Sequence, residues 1–259
     1  MRFVRSLTYL ITLLPATIWY GGKVIVAGLL RVPNRRGGVY DQVARRWSRT
    51  LLAAAGVKVR LAGADGIPDR PVVYASNHQS WFDILAIAAN IPGTVRFVSK
   101  IELARMPILG PAMRHAGHIF IDRSNRQQAF TAYEEVAGVI RDGMSAIVFP
   151  EGTRSRTGEL QPFKKGPFVL AIAAQVPVVP VYCAYTFDIL PKGSMLIRPH
   201  PVTVFFGKPI PTEGMDYEDR QRLLELTRAE IERLRDEARG RAGATELTAP
   251  PGPGKVPPP

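Results

Sequence analysis

One cysteine in 259 residues, Cys183, leaves no intrachain disulfide to form and argues against a cysteine-based metal site. A reducing, cytoplasm-facing compartment suits such a chain. There are only four histidines, and none falls at the spacing of a zinc-binding pair, so no metal centre is expected. No apolar run reaches the roughly 20 residues of a spanning helix without interruption. Internal repeats are absent, and acidic residues are scarce: 22 stand against 34 lysines and arginines, a net charge of +12. That surplus favours an anionic partner, either nucleic acid or an acidic membrane surface. No recognisable nucleic-acid-binding module accompanies it, which leaves the membrane. A composition of 46% hydrophobic and 22% charged residues excludes global disorder, and the length suffices for one catalytic domain with a small appendage.

What is present begins at the N-terminus. Arg2 and Arg5 precede an apolar stretch from Leu7 to Tyr20, broken by threonines and Pro15. Gly21, Gly22 and Lys23 interrupt it, and Val24 to Leu30 resume it before Arg31, Arg35 and Arg36. Two arrangements remain open: one tilted span in which Lys23 snorkels, or two short helices dipping into one leaflet. A secretory signal peptide fits less well, because Trp19, Tyr20 and Lys23 stand where the cleavage site belongs. Residues 1–36 are therefore expected to form a membrane anchor, with the arginines and aromatics at the membrane–water boundary.

The remainder alternates between two periodicities. Tyr40 to Ala55 is helical in period, as are Phe82–Ala89, Gln127–Arg141, Pro167–Gln175 and Tyr217–Arg239. Between them lie strand-like runs at Val57–Leu61, Val72–Ala75, Val95–Val98, Ile119–Ile121, Ala146–Phe149, Val178–Tyr182 and Val202–Phe206. The pattern predicts an α/β fold: a mixed central sheet flanked by helices over residues 37–239, with the N-terminal membrane-embedded helical segment before it. From Gly240 the chain turns to small residues and prolines, so residues 240–259 are expected to be a disordered tail.

Four blocks carry chemistry. The first, Ser76 to Asp83, follows a strand and precedes a helix, where α/β folds place active sites. Histidine is the usual general base, and a carboxylate behind it fixes the tautomer and steadies the imidazolium. On one continuous helix, side chains five residues apart point about 140° away from each other. His78 and Asp83 can therefore meet only if His78 lies in the turn and Asp83 in the first helical turn. A histidine near an aspartate is by itself more often structural. The second block, Gly117 to Arg123, and the third, Phe149 to Ser155, are strands that run into charged turns. They bring Arg123 and Arg154 toward the same sheet edge as His78, as forked donors for phosphate oxygens. Glu151 is placed to hold such an arginine or a substrate hydroxyl. The plainer reading is two surface ion pairs, Asp122–Arg123 and Glu151–Arg154, which would contribute little. The fourth block, Val176 to Tyr182, carries prolines that suit an edge strand or the wall of an acyl-chain groove, though plain core is equally consistent. Ser80 invites an acyl-serine route, but no Gly-x-Ser-x-Gly elbow presents it. Cys183 ends an apolar strand and reads as buried and inert.

Together the four blocks resemble the glycerolipid acyltransferases, and most closely the bacterial 1-acyl-glycerol-3-phosphate acyltransferases. The family pattern Asn-His-x4-Asp is matched by Asn77, His78 and Asp83, and Glu-Gly-Thr-Arg-Ser by Glu151 to Ser155. Val98 to Leu103 and Pro162 to Gly166 are similar to segments of the lysophosphatidate branch. The resemblance implies a lipid O-acyltransferase in which His78, backed by Asp83, activates the sn-2 hydroxyl of lysophosphatidate toward an acyl thioester. Lys100, Arg123 and Arg154 would hold the acceptor phosphate, with Glu151, Gly152 and Thr153 beside them. It implies acyl-CoA or acyl carrier protein as donor, phosphatidate as product, no metal or other cofactor, and residence on the inner membrane facing the cytoplasm. Sibling activities are acylation of another lysophospholipid, a lyso-ornithine lipid or glycerol-3-phosphate. A non-catalytic protein that binds anionic lipid is the alternative of a different class.

Overall fold

The computed structural model describes residues 2–122, 133, 136–141 and 143–248. Arg2–Leu29 form one continuous helix, α1, so the Gly21–Gly22 pair does not divide the anchor into two helices. Glycine inside a helix costs about 1 kcal/mol relative to alanine, but here it permits close packing. A methyl group on Gly21 would meet the Ile108 side chain, and one on Gly28 would meet the His115 ring. Both contacts come from the segment around α4 (Leu109–His115).

Helix α2 (Val39–Ala55) folds back along α1 and stops at Gly56, whose φ of +71° closes the last turn. The two helices are joined by more than apolar contact. Trp47 Nε1 donates to Thr17 Oγ1 at 3.1 Å, and the Tyr20 and Thr50 hydroxyls lie 3.3 Å apart. At the far end, Asp41 accepts from Arg96 Nη1 at 2.7 Å, with both side chains almost wholly buried. Arg96 also donates to Asn34 at 2.6 Å. Removing one partner of a buried pair costs about 3–5 kcal/mol, so the N-terminal hairpin is keyed to the sheet.

That sheet has seven strands in the order β1-β7-β6-β2-β5-β3-β4. They are β1 (Val59–Ala62), β2 (Val73–Ser76), β3 (Val95–Lys100), β4 (Ile119–Ile121), β5 (Ser145–Val148), β6 (Val178–Ala184) and β7 (Val202–Phe206). Strands β2 to β6 are mutually parallel, while the β6–β7 ladder is antiparallel. The sheet is therefore mixed, and the carboxyl ends of β2, β3, β4, β5 and β6 open on one edge. Helix α3 (Trp81–Asn90) follows β2. Residues 136–141 and helix Gly166–Ala174 bury apolar side chains against the other face.

Two expectations need correction. The proline-bearing strand is not an edge: β6 lies between β7 and β2 and is buried throughout. Proline is tolerated because the Pro180 carbonyl, and with it the ring nitrogen, faces β7 where the ladder bulges. Residues 207–209 there stand opposite residues 179–180, between the Val181–Phe206 and Val178–Ile210 pairs. The C-terminal helix also runs further than its charged part suggests, from Arg220 to Thr248. Residues 240–248, assigned to the tail, are helical: alanines, Arg241 and Leu247 are adequate helix formers and outweigh two glycines. The prolines begin only at Pro250.

Candidate active site

The turn after β2 is built to present His78. Asn77 is buried and clamps β6: its amide oxygen accepts from the Cys183 amide at 2.7 Å and its amide nitrogen donates to the Cys183 carbonyl at 3.2 Å. Ser80 caps α3, and Asp83, three residues on, completes a capping box. This is the arrangement that the five-residue spacing requires. His78 Nδ1 lies 2.9 Å from Asp83 Oδ2.

Asp83 is fully buried and every approach to it is occupied. Oδ2 also accepts the amides of Gln79 and Ser80, at 2.7 and 2.8 Å. Oδ1 accepts the hydroxyl of Thr186. A carboxylate so surrounded can only accept, so the proton between it and the imidazole sits on Nδ1 and leaves Nε2 as the basic nitrogen. The ring is held from its face as well, stacked on Phe149 at 4.0 Å and 19°.

Glu151, expected to grip an arginine or substrate, pairs with no arginine among the described residues. It is 3% exposed; Oε1 accepts the His78 amide at 2.7 Å, while Oε2 accepts both the amide and the side chain of Gln161. Burial pushes its carboxyl above the ordinary range, and the donors from His78 and Gln161 pull it back. Its job is to tie the turn after β5 to the turn after β2. The Ser155 amide, donating to the His78 carbonyl at 2.8 Å, makes the same connection from the other side. Gly152 bends between them at φ +74°, with the Lys164 side chain filling the space where a Cβ would stand.

His78 opens onto a cavity of about 540 Å³. Lys100, Thr153, Arg154 and Lys192 line it together with His78, and Val24, Val43, Trp47, Leu109 and Met113 add apolar lining from α1, α2 and α4. The sheet order explains the cationic lining. Lys100 closes β3 and Arg154 follows β5, and both strands share the open edge with β2. Neither Lys100 nor Arg154 makes an ion pair among the described residues, so the Glu151–Arg154 surface pair does not form. Arg123 lies outside the described residues. Among those described, no cluster of histidine, cysteine or carboxylates suited to a metal ion occurs.

Residues 58–184 match the model of the acyltransferase family. The 1-acyl-sn-glycerol-3-phosphate acyltransferase alpha of Homo sapiens is 36% identical over 244 residues, covering 91% of this chain and 86% of that sequence. The 1-acyl-sn-glycerol-3-phosphate acyltransferase of Cocos nucifera is 35% identical over 196 residues, 75% of this chain. The chain spans 62% of the length of that coconut relative. The crystal structure of PlsC, the 1-acyl-sn-glycerophosphate (LPA) acyltransferase of Thermotoga maritima, superposes with a TM-score of 0.74 at 27% identity. It covers 90% of this chain and 96% of that one. The chain belongs to the glycerolipid acyltransferase family.

Several residues of this acyltransferase site escape sequence reading. Thr186, which holds Asp83 Oδ1, lies 103 positions from it and arrives only because β6 pairs with β2. Phe149 passes for ordinary core until its ring is found under His78. Lys192 sits in a loop without pattern, yet its ammonium reaches Thr153 Oγ1 at 3.0 Å. Ser80, the tempting nucleophile, is buried; its hydroxyl donates to the Leu190 carbonyl at 2.8 Å and, as the helix cap, accepts the Phe82 amide at 3.3 Å. Cys183 is buried and free, and burial raises its thiol far above the ordinary range, consistent with an inert side chain.

Proposed function

We propose that the chain transfers an acyl group from a thioester to the sn-2 hydroxyl of lysophosphatidate, giving phosphatidate, with His78 as general base. The observation that carries this reading is that the His78–Asp83 pair opens onto one cavity lined by both cationic and apolar side chains. A lipid hydroxyl is too weakly acidic to attack a thioester unaided at neutral pH. His78 Nε2 takes the proton as the oxygen bonds to the acyl carbon, and Asp83 stabilises the imidazolium. The tetrahedral adduct then collapses, the carbon–sulfur bond breaks, and His78 returns the proton to the departing thiolate. Coenzyme A and acyl carrier protein are both suitable thiols.

Lys100 and Arg154 supply the positive charge that a phosphomonoester requires. Replacing Arg154 with alanine removes a forked donor and should raise KM for lysophosphatidate about 10- to 100-fold, with a smaller effect on kcat. Steady-state assays of purified protein on lysophosphatidate, lysophosphatidylcholine, a lyso-ornithine lipid and glycerol-3-phosphate test the acceptor. Preference for lysophosphatidate is expected; strong activity only on acceptors lacking a phosphomonoester would overturn it.

Helix α1 supports membrane residence of a particular kind. It is the one helix among the described residues long and apolar enough to cross a bilayer. Its inner face, however, packs along α2 and reaches α4, burying Tyr9, Ala16, Val24 and Ala27. A transverse α1 would drag α2, with Arg45, Arg46 and Arg49, into hydrocarbon. The reading that fits is a helix lying in one leaflet of the inner membrane on its cytoplasmic side, with Phe3, Leu7, Ile11, Leu14 and Ile18 toward lipid. A charge in the apolar part of a bilayer costs about 2.5–3.5 kcal/mol. The double substitution Ile11→Glu and Leu14→Glu should therefore weaken binding to anionic vesicles by about 10-fold or more. Vesicle co-sedimentation measures it, and unchanged binding would leave the basic surface as the tether.

A further inference from the structure

We propose that Lys192 is a third cation of the acceptor-phosphate site, delivered to it by the loop that follows β6. The inference rests on the phosphate-bearing acceptor argued above. Lys192 lies 38 and 39 positions beyond Arg154 and Thr153, yet its ammonium donates to the Arg154 carbonyl at 3.3 Å and to Thr153 Oγ1 at 3.0 Å. Those two contacts use two of its three N–H donors. The side chain borders the same cavity as His78, Lys100 and Arg154, and no carboxylate pairs with it among the described residues.

A lysine that merely braced a turn would need no particular charge balance around it. Here three cationic side chains line one cavity while the buried acids beside it, Asp83 and Glu151, have their oxygens engaged elsewhere. Such a concentration of like charge opposes itself until an anion arrives. A phosphomonoester carries about −1.5 to −2 charges at neutral pH and three acceptor oxygens, which is the ligand such a cluster balances.

The loop is held so that the ammonium stays put. The Leu190 carbonyl accepts the Ser80 hydroxyl at 2.8 Å, and the Arg198 amide donates to the Ile189 carbonyl at 2.9 Å. The Ile197 amide donates to the hydroxyl of Ser6 on α1, also at 2.8 Å. Lys192 is thus fixed between the cap of the catalytic turn and the foot of the lipid-facing helix.

Phosphate oxygens also occur on coenzyme A, so the experiment measures both substrates. KM and kcat are determined for lysophosphatidate and for acyl-CoA with wild type, Lys192→Met and Lys192→Arg, alongside thermal melting. The expected result is a 10- to 100-fold rise in the lysophosphatidate KM of Lys192→Met, with kcat within about threefold and the acyl-CoA KM unchanged. Lys192→Arg, which keeps the charge, should recover most of the loss. An unchanged lysophosphatidate KM, a rise confined to acyl-CoA, or a fall in kcat alone would overturn the proposal. If Lys192→Met melts much earlier than wild type, the arginine variant decides: a KM raised as far as that of methionine would also overturn it. Failure of the parent reading looks different, because wild type itself would then not turn over lysophosphatidate.

Discussion

Replacing His78 with alanine should lower kcat by about 10²- to 10⁴-fold, the contribution of a positioned general base. The change should leave the fold in place. The His78 side chain is partly exposed, and what it gives up is one bond to Asp83 and the stack on Phe149. The clamp from Asn77 to Cys183 and the bonds from the His78 backbone to Glu151 and Ser155 do not involve the ring. A fall in kcat with a nearly unchanged melting temperature is the signature to look for. Full activity in His78→Ala would remove the proposed base.

Asp83→Asn should behave differently, because it disturbs both chemistry and folding. The carboxylate accepts four donors: the imidazole, two backbone amides and the Thr186 hydroxyl. An asparagine presents one oxygen and one NH2 group; with the oxygen kept toward the imidazole and the two amides, the NH2 faces Thr186, whose hydroxyl must accept from it and so loses the acceptor for its own proton. Each unsatisfied buried group costs about 1–3 kcal/mol. A drop in melting temperature of roughly 2–12 °C follows for a domain of this size. Turnover should also fall by about 10²- to 10⁴-fold, since a neutral amide no longer stabilises the imidazolium. Calorimetry and steady-state kinetics on the two variants separate the roles. His78→Ala loses activity alone, whereas Asp83→Asn loses activity and stability together.

Much of this site is legible in the sequence because it lies in short contiguous blocks. The His78–Asp83 offset prescribes a strand-to-helix turn, and the turn found has that form, with Ser80 as its cap. The strand runs around the four blocks appear as β2, β3, β4, β5 and β6, within a residue or two of their expected limits. What the sequence hides is whatever depends on strand order. Thr186 and Lys192 reach the site because β6 lies beside β2, and nothing in the neighbourhood of either residue announces that. Glu151 misleads for a related reason. A carboxylate within a charged turn reads as a substrate or arginine contact, yet the close approach of β5 to β2 buries it under the catalytic turn. Pro180 misleads because a bulge in the neighbouring strand, invisible in periodicity, removes the need for its missing N–H. The sequence leaves one span or two helices open at Gly21 because glycine can act as a breaker. Close approach of the segment before α4 turns it into a packing position instead.

Deprotonation of the acceptor hydroxyl by His78 as it attacks the thioester implies direct transfer, with no acyl group ever resting on the protein. Single-turnover mixing of the purified enzyme with acyl-labelled acyl-CoA, with and without lysophosphatidate, tests that point most directly. Direct transfer predicts that thiol release waits for the acceptor and that label appears only in phosphatidate. Thiol released without acceptor, with label remaining on the denatured protein at Ser80 or any other residue, would contradict it.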